Sequence, residues 1–246
     1  MRVNGGVASK AATQVDKSAA IVVDLVGVED AHYVSRGAHK LLGALSAFDD
    51  VDPAGRDCLD AGASTGGFTQ VLLEHGAARV LAVDVGYGQL AWKLRTDDRV
   101  TVMERTNMRT LHVNDLAWRP SLIVSDLSFI PLELVLPAMA EVIERPGDLL
   151  LMVKPQFEVG RERVGDGVVR DPELRAEAVR SVALAAQALG LAVRGVAASP
   201  LPGPSGNVEY FLWLRAGGVP GDTMEPGLQG GALDEAIREA VSKGPQ

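Results

Sequence analysis

Seven apolar runs rich in β-branched residues recur along the chain, and what separates them constrains the fold more than any other feature. They lie at Asp57–Asp60, Val80–Val85, Val100–Glu104, Leu122–Leu127, Leu149–Lys154, Leu191–Ala198 and Val208–Leu214. Segments with helical periodicity stand between the earlier ones: Phe68–His75, Gly88–Leu94, Pro131–Glu144 and Pro172–Leu189. Strands that alternate with helices lie parallel in one sheet, because each right-handed crossover returns the chain to the edge it left. The last two runs break the rule. Only the Pro/Gly/Ser loop from Pro200 to Asn207 separates them, which is too short for a crossover helix and predicts an antiparallel last strand. The expected fold is therefore α/β and Rossmann-like, a seven-stranded mostly parallel sheet with helices on both faces.

The hydrophobic fraction of 47% can fill such a core, and aromatics at 4% suit a sheet under close-packed helices better than a β-barrel. The longest apolar stretch, around Val182 to Val193, contains Gln187 and falls short of the ~20 residues a membrane helix needs. No signal peptide opens the chain, so a cytoplasmic protein without a membrane partner is expected. Cys58 is the single cysteine; it excludes disulfide frameworks and cysteine-based zinc sites within one chain and reads as a small core residue. The four histidines lack metal spacing, and no metal is expected. A formal charge of −8 argues against a nucleic-acid partner, since phosphates require lysine and arginine. Its distribution softens the objection: Arg36, His39 and Lys40 form a local basic patch free of acids.

A glycine-rich turn, Asp60-Ala61-Gly62-Ala63-Ser64-Thr65-Gly66-Gly67-Phe68-Thr69, leaves the first run, and Asp84 ends the second. Glycines let the backbone turn sharply and approach a ligand closely, and an acid at the end of the next strand is placed to accept hydrogen bonds from ribose hydroxyls. The spacing is not that of a dinucleotide fingerprint, because the leading Asp60 would repel a pyrophosphate. A cofactor with an ammonium group and a ribose fits, and S-adenosylmethionine is that molecule. Its candidate contacts are Asp60, Gly62, Ser64, Gly66, Gly67, Phe68, Thr69 and Asp84, with Asn107 placed either to flank the adenine or, equally, to serve a plain turn, and Asp126 at the next strand end. A parallel sheet ending in one antiparallel hairpin is the architecture of S-adenosylmethionine-dependent methyltransferases.

Methyl transfer to a hydroxyl needs a base and charge stabilisers at the C-terminal ends of the strands. Asp126 and Lys154 end their runs, Glu209 begins the antiparallel last strand at the same edge, and Lys40 opens the helix leading into the sheet. A lysine with a reference pKa of ~10.4 serves as base only if burial or a neighbouring cation lowers it. Phe129 and Pro131 are placed to line the cofactor pocket, with core packing the stronger expectation, the segment from 156 to 169 is expected as a mobile, solvated lid carrying Arg161 and Arg163, and the Gly/Pro-rich tail over 217–246 as mobile with a weak helix at Ala232–Val241. Near the start, Val3–Val7 reads as a hairpin, Ala19–Asp24 as a strand and 29–34 as a linker.

Five segments together resemble the TlyA (haemolysin A-like) family: Tyr33-Val34-Ser35-Arg36-Gly37-Ala38-His39-Lys40-Leu41, the glycine turn, Ser125-Asp126-Leu127-Ser128-Phe129-Ile130, Val153-Lys154-Pro155-Gln156-Phe157-Glu158 and Gly206-Asn207-Val208-Glu209-Tyr210. The resemblance implies an FtsJ-type methyltransferase domain over 35–216 that 2'-O-methylates cytidine in small- and large-subunit ribosomal RNA, with a Lys-Asp-Lys-Glu tetrad at Lys40, Asp126, Lys154 and Glu209 and Lys154 as base. It also implies an S-four-type RNA-binding domain at the start, of which residues 1–28 look like the end, and ribosomal RNA or ribosomal subunits as partners, met through Arg36, His39 and Lys40. Three alternatives stand beside it. An N-methyltransferase often uses an Asp/Asn-Pro-Pro-aromatic motif, and Asp126-Leu127-Ser128-Phe129 lacks both prolines. A haemolysin would need an amphipathic or membrane-length segment. A binding protein without turnover would not need the tetrad.

Overall fold

The computed structural model describes residues 2–3, 6–7, 21–22, 32–203, 205–217 and 227–245. The chain divides into two units, Met1–Tyr33 and Val34–Gln246. In the first, β1 (Arg2–Val3) pairs antiparallel with both β2 (Gly6–Val7) and β3 (Ile21–Val22). The hairpin and strand expected from the sequence are thus present in outline, while residues 29–31 of the expected linker lie outside the described residues.

The second unit carries α1 (Gly37–Ala47), β4 (Asp57–Ala61), α2 (Gly67–Glu74), β5 (Arg79–Val83), α3 (Trp92–Arg95), β6 (Val100–Met103), β7 (Leu122–Ser125), α4 (Leu136–Val142), β8 (Gly147–Val153), α5 (Pro155–Glu158), α6 (Arg161–Val164), α7 (Pro172–Ala188), β9 (Leu191–Ala198), β10 (Tyr210–Ala216) and α8 (Gly230–Lys243). The seven strands β4 to β10 form one sheet in the order β6-β5-β4-β7-β8-β10-β9. All neighbours are parallel except β10, which runs antiparallel to both β8 and β9. The chain is an α/β protein of the Rossmann-like methyltransferase architecture, with the last strand inserted between its two predecessors.

Period-two alternation sends the strand side chains to two helical layers. Leu59, Leu81, Ile123, Leu149, Leu151 and Leu212 share one core with α4, α7 and α8. The alternate residues Cys58, Val80, Leu122 and Leu150 are equally buried outside that cluster, on the face where α1 packs on α2 and Phe68 stacks on Phe211 with ring centroids 6.2 Å apart. Burial also pushes the Cys58 thiol up to about 12, so it stays a protonated core residue.

Two segments expected to be mobile carry packing contacts among the described residues, while residues 218–226 and 246 of the expected tail lie outside them. The end of the chain is a docked helix: Leu233, Ile237 and Ala240 of α8, spaced four and three apart, are buried against α7 and β9. Arg180 pairs with Asp234 at 2.7 Å, and Leu228 N–H donates to Val193 O at 2.7 Å. Each fully buried large apolar side chain contributes ~1.5–3 kcal/mol, which outweighs the weak helical propensity of a Gly-rich segment. The 156–169 segment is likewise tied at both ends. Glu158 is half-buried and accepts from Leu132 N–H at 3.0 Å, and the buried Asn207 accepts from Val169 N–H at 2.9 Å and donates to Gly167 O at 2.8 Å.

Candidate active site

Register places the chemistry. Ala61 lies opposite Val83 on β5 and opposite Ser125 on β7, and Tyr210 of β10 lies opposite Val153 of β8. The residues just beyond these strand ends, Gly62, Asp84, Asp126, Lys154 and Glu209, therefore emerge along one rim. Lys40 reaches the same place from α1, which is held over α2 by the close approach of Gly67 to Ser35 and Ala38.

Four charged side chains meet there in alternating sign. Lys40 Nζ lies 2.5 Å from Glu209 Oε2 and 3.8 Å from Asp126 Oδ2, and Lys154 Nζ lies 2.5 Å from Asp126 Oδ1. Asp126 thus bridges the two lysines. Lys40, Lys154 and Glu209 are buried at 4%, 6% and 1% exposure, which makes their pairing obligatory, since a buried charge without a partner is very costly. Three further contacts were not foreseen from the sequence. Lys154 Nζ donates to Ser128 Oγ at 2.9 Å, Lys40 Nζ approaches Met152 Sδ at 3.7 Å, and Gln156 Nε2 donates to Glu209 Oε1 at 3.4 Å. Ser128 and Gln156 each stand two residues past a strand-end charge, Asp126 and Lys154, and that offset is the only signal the sequence carried for them.

Two recesses flank the cluster and share Gly62, Ser64, Asp126 and Ser128. The smaller, about 250 Å³, is lined by Ser35, Arg36, Lys40, Phe68, Asp126 and Lys154. The larger, about 400 Å³, runs past Asp84, Thr106, Asn107, Leu127, Phe129 and Ile130. Gly62 has φ +87°, and a Cβ there would come within 3.0 Å of Asp126 O, so only glycine lets the turn lie this close to the Asp126 backbone. Asp84 accepts from Ser64 N–H at 2.8 Å through Oδ2 and from Gly86 N–H at 2.6 Å through Oδ1. Each oxygen keeps a further lone pair for a ligand hydroxyl. The recess thus offers a carboxylate, an apolar wall and a glycine cradle, which fits an adenosine-bearing cofactor.

Not every expected contact lies on these walls. Asp60 is fully buried beneath the turn; its Oδ2 accepts from Thr69 Oγ1 at 2.7 Å, its Oδ1 has no partner, and desolvation raises its pKa to about 7. Asp60 and Thr69 therefore brace the start of α2 and line neither recess. Gly66 also lines neither: its φ of +99° and its approach to Leu90 and Leu94 serve packing. Asn107 lines the larger recess while its side chain caps the turn at Arg109 N–H, 3.0 Å away. Phe129, expected in the core, is 90% exposed with φ +65° and leans on Phe157 at a centroid distance of 5.2 Å. Leu127 and Ile130 take the packing positions instead. Of the three expected RNA contacts, Arg36 is exposed, His39 is half-buried, and Lys40 is committed to Glu209.

The FtsJ-like methyltransferase model matches residues 33–216. The chain belongs to the FtsJ-like methyltransferase family. It is 54% identical over all of its 246 residues, and over 88% of the relative, to the Mycobacterium tuberculosis protein named 16S/23S rRNA (cytidine-2'-O)-methyltransferase TlyA. Among solved structures it resembles a candidate hemolysin from Streptococcus thermophilus, with a TM-score of 0.80 and 39% identity, covering 88% of this chain and 77% of that one. A second candidate hemolysin, from Lactococcus lactis, gives a TM-score of 0.76 and 43% identity over 84% and 97% of the two chains. The family domain ends at the close of β10 and so contains the whole rim, from Lys40 to Glu209.

Proposed function

We propose that this enzyme uses S-adenosylmethionine to methylate the 2'-hydroxyl of a ribose, that of cytidine, in ribosomal RNA. The reading rests on one observation above all: Lys154 Nζ, held between Asp126 and Ser128, lines a recess that shares Gly62, Ser64, Asp126 and Ser128 with the recess that carries Asp84. The name of the Mycobacterium tuberculosis relative, 54% identical over the full chain, points to the same reaction.

S-adenosylmethionine supplies an electrophilic methyl group, so a hydroxyl acceptor must lose its proton as the new bond forms. A ribose hydroxyl is a very weak acid, and the group that takes its proton must be a free amine held in line. Lys154 serves as that amine. Asp126 and Ser128 accept its N–H groups and fix the direction of the remaining position on Nζ. Lys40 supplies the positive charge beside it, and Glu209, itself held by Gln156, neutralises Lys40 within the buried cluster. Asp84 would hold the cofactor ribose, Leu127 and Ile130 would supply the apolar wall for its base, and Arg36, at the acceptor recess, would meet the RNA backbone. Asp60 and Thr69 act one layer below by fixing the glycine turn.

The reading is tested by incubating the full chain with methyl-labelled S-adenosylmethionine and ribosomal subunits, then mapping the label. The expected product is 2'-O-methylcytidine, whose 3'-phosphodiester resists alkaline cleavage. Label on a base, or none on RNA, overturns it.

A further inference from the structure

A third concavity opens on the same rim, beyond Glu209 towards β9. It holds about 500 Å³ and is lined by Val169, Arg170, Arg175, Ser205, Gly206 and Val208 among others. None of these residues belongs to the methyl-transfer cluster, yet Val208 directly precedes Glu209 in the chain.

Arg175, in the first turn of α7, is the unusual member. Nearby arginines have carboxylate partners: Arg163 pairs with Glu177, Arg170 with Asp166 and Arg180 with Asp234. Arg175 pairs with no carboxylate among the described residues. Its Nε is buried without an acceptor, and its polar neighbour is the Tyr210 hydroxyl, whose pKa desolvation raises. A half-buried guanidinium left without an anion is costly, and its planar fork matches phosphate oxygens.

The walls around it are fixed. Asn207, buried beneath the concavity, holds Val169 N–H and Gly167 O through its side chain, which joins the end of the 156–169 segment to the loop carrying Ser205. Gly203 N–H donates to Asn207 O at 2.8 Å and closes that loop on itself. Arg170 stands at the edge, exposed and paired with the exposed Asp166 at 2.9 Å, an ion pair worth at most about 1 kcal/mol and easily exchanged for a stronger anion.

We infer that this concavity binds a phosphodiester of the RNA strand next to the methylated nucleotide, with Arg175 as the charge partner, the Ser205 hydroxyl as a donor and Arg170 closing over the anion. The inference rests on the RNA-methylation reading above. It gives an acidic protein a second cationic foothold, on the opposite side of the tetrad from Arg36.

The test uses the full chain, with methyl transfer to ribosomal subunits measured over a range of KCl concentrations. Arg175→Ala should raise the KM for subunits by about tenfold and lower the salt slope of binding by about one, the signature of one lost phosphate contact. Its kcat at saturating RNA and its S-adenosylmethionine affinity should match wild type. Arg175→Lys should fall between the two, because an ammonium keeps the charge and loses the fork. If the alanine variant loses cofactor affinity through misfolding, Arg175→Lys and Arg170→Ala decide, each with a smaller expected rise in KM at unchanged cofactor affinity. Unchanged KM and salt slope in the variants that bind cofactor normally overturn the inference. Inorganic phosphate, titrated at constant ionic strength, should inhibit wild type and Arg175→Ala equally weakly; strong inhibition of wild type alone would assign the concavity to a free phosphate ligand and overturn the RNA assignment. Failure of wild type to methylate or bind subunits at all would instead remove the function on which the inference rests.

Discussion

The two edges of the sheet each bury a charged cluster, and the clusters are built for opposite purposes. At the edge where β4, β7 and β8 begin and β10 ends, Asp148 is 1% exposed and accepts from Arg56 Nη1 at 2.9 Å, Arg215 Nη1 at 2.8 Å and Trp213 Nε1 at 3.0 Å. Arg56 also donates to Ser121 Oγ at 3.3 Å and to Ser121 O. The acid's lone pairs are filled, and both cations are guanidiniums, which never lose a proton at physiological pH. At the other edge the cations are Lys40 and Lys154, ammoniums that can exchange protons, and Asp126, Lys40 and Lys154 all face a recess. An acid that bridges two cations thus yields a staple in one place, where the guanidiniums stay partly exposed, and a reactive site in the other, where the ammoniums are buried. Cation identity and access to a cavity make the difference.

The largest effect that would break this contrast is at Lys154. Lys154→Ala should lower kcat for methyl transfer by about 10²–10⁴-fold, the usual contribution of a general base, with S-adenosylmethionine affinity retained because the side chain acts on the acceptor. Lys154→Arg should fail almost as badly, since it makes the reactive rim resemble the structural edge. Near-normal transfer by the arginine variant would show that a fixed positive charge suffices there. Next in size is Asp148→Ala at the opposite edge. Removing the acid strands Arg56 and Arg215, which stay partly exposed, so the loss should fall below the ~3–5 kcal/mol of breaking a fully buried ion pair. Denaturant melts should record that loss while kcat per folded molecule stays at the wild-type level. A fall in kcat with unchanged stability would mean that the two edges are coupled through β8 and β10.

How much of this was legible in the sequence follows from the same geometry. Strand-end charges were readable because apolar runs end where the chain leaves the core, so Asp126, Lys154 and Glu209 declared their rim by position, and the short link from Pro200 to Asn207 declared the antiparallel strand. Positions whose role depends on which way a side chain turns were not readable. Asp60 sits on the strand face under α2, so the same acid that suggested an ammonium partner bonds to Thr69 instead. Phe129 looked like core material, but the positive φ at that residue turns it outward while Leu127 and Ile130 pack. The docking of α8 depends on three apolar residues meeting a surface supplied by α7 and β9, and composition averaged over the Gly/Pro-rich tail conceals that match.

Asp60 offers a pH test of the layer beneath the rim. Its carboxyl is raised from the ordinary 3.8 to about 7, first by burial and then by the charges of Asp126 and Asp84, against the opposing bonds from Thr69. Because the folded pKa lies above the unfolded one, the folded state holds more protons between those values. Its contribution to stability is complete below the unfolded pKa and is lost as pH rises through about 7. Wild-type stability should therefore carry a falling component from pH ~4 to ~7, of at most a few kcal/mol. Asp60→Asn, which cannot ionise, should flatten it. Melts of both proteins across that range decide; parallel curves would mean that Asp60 stays ionised and has a partner in solution.

Asp84 gives the smallest expected effect and the finest division between holding the fold and holding a ligand. Its two oxygens already hold Ser64 N–H and Gly86 N–H, so Asp84→Ala loosens the glycine turn as well as removing the ribose acceptor. The expected loss of S-adenosylmethionine affinity is ~1–3 kcal/mol, the range for leaving buried hydrogen-bonding groups unpaired. The two causes separate with ligands that differ only at the ribose. Against wild type, adenosine should bind more tightly than 2',3'-dideoxyadenosine, because only the former has hydroxyls to offer the carboxylate. Against Asp84→Ala the two should bind alike if the carboxylate meets the ribose directly. If the preference for adenosine persists undiminished in the variant, Asp84 belongs with Asp148 as a structural acid, and the recognition of the cofactor ribose must come from elsewhere on the larger recess.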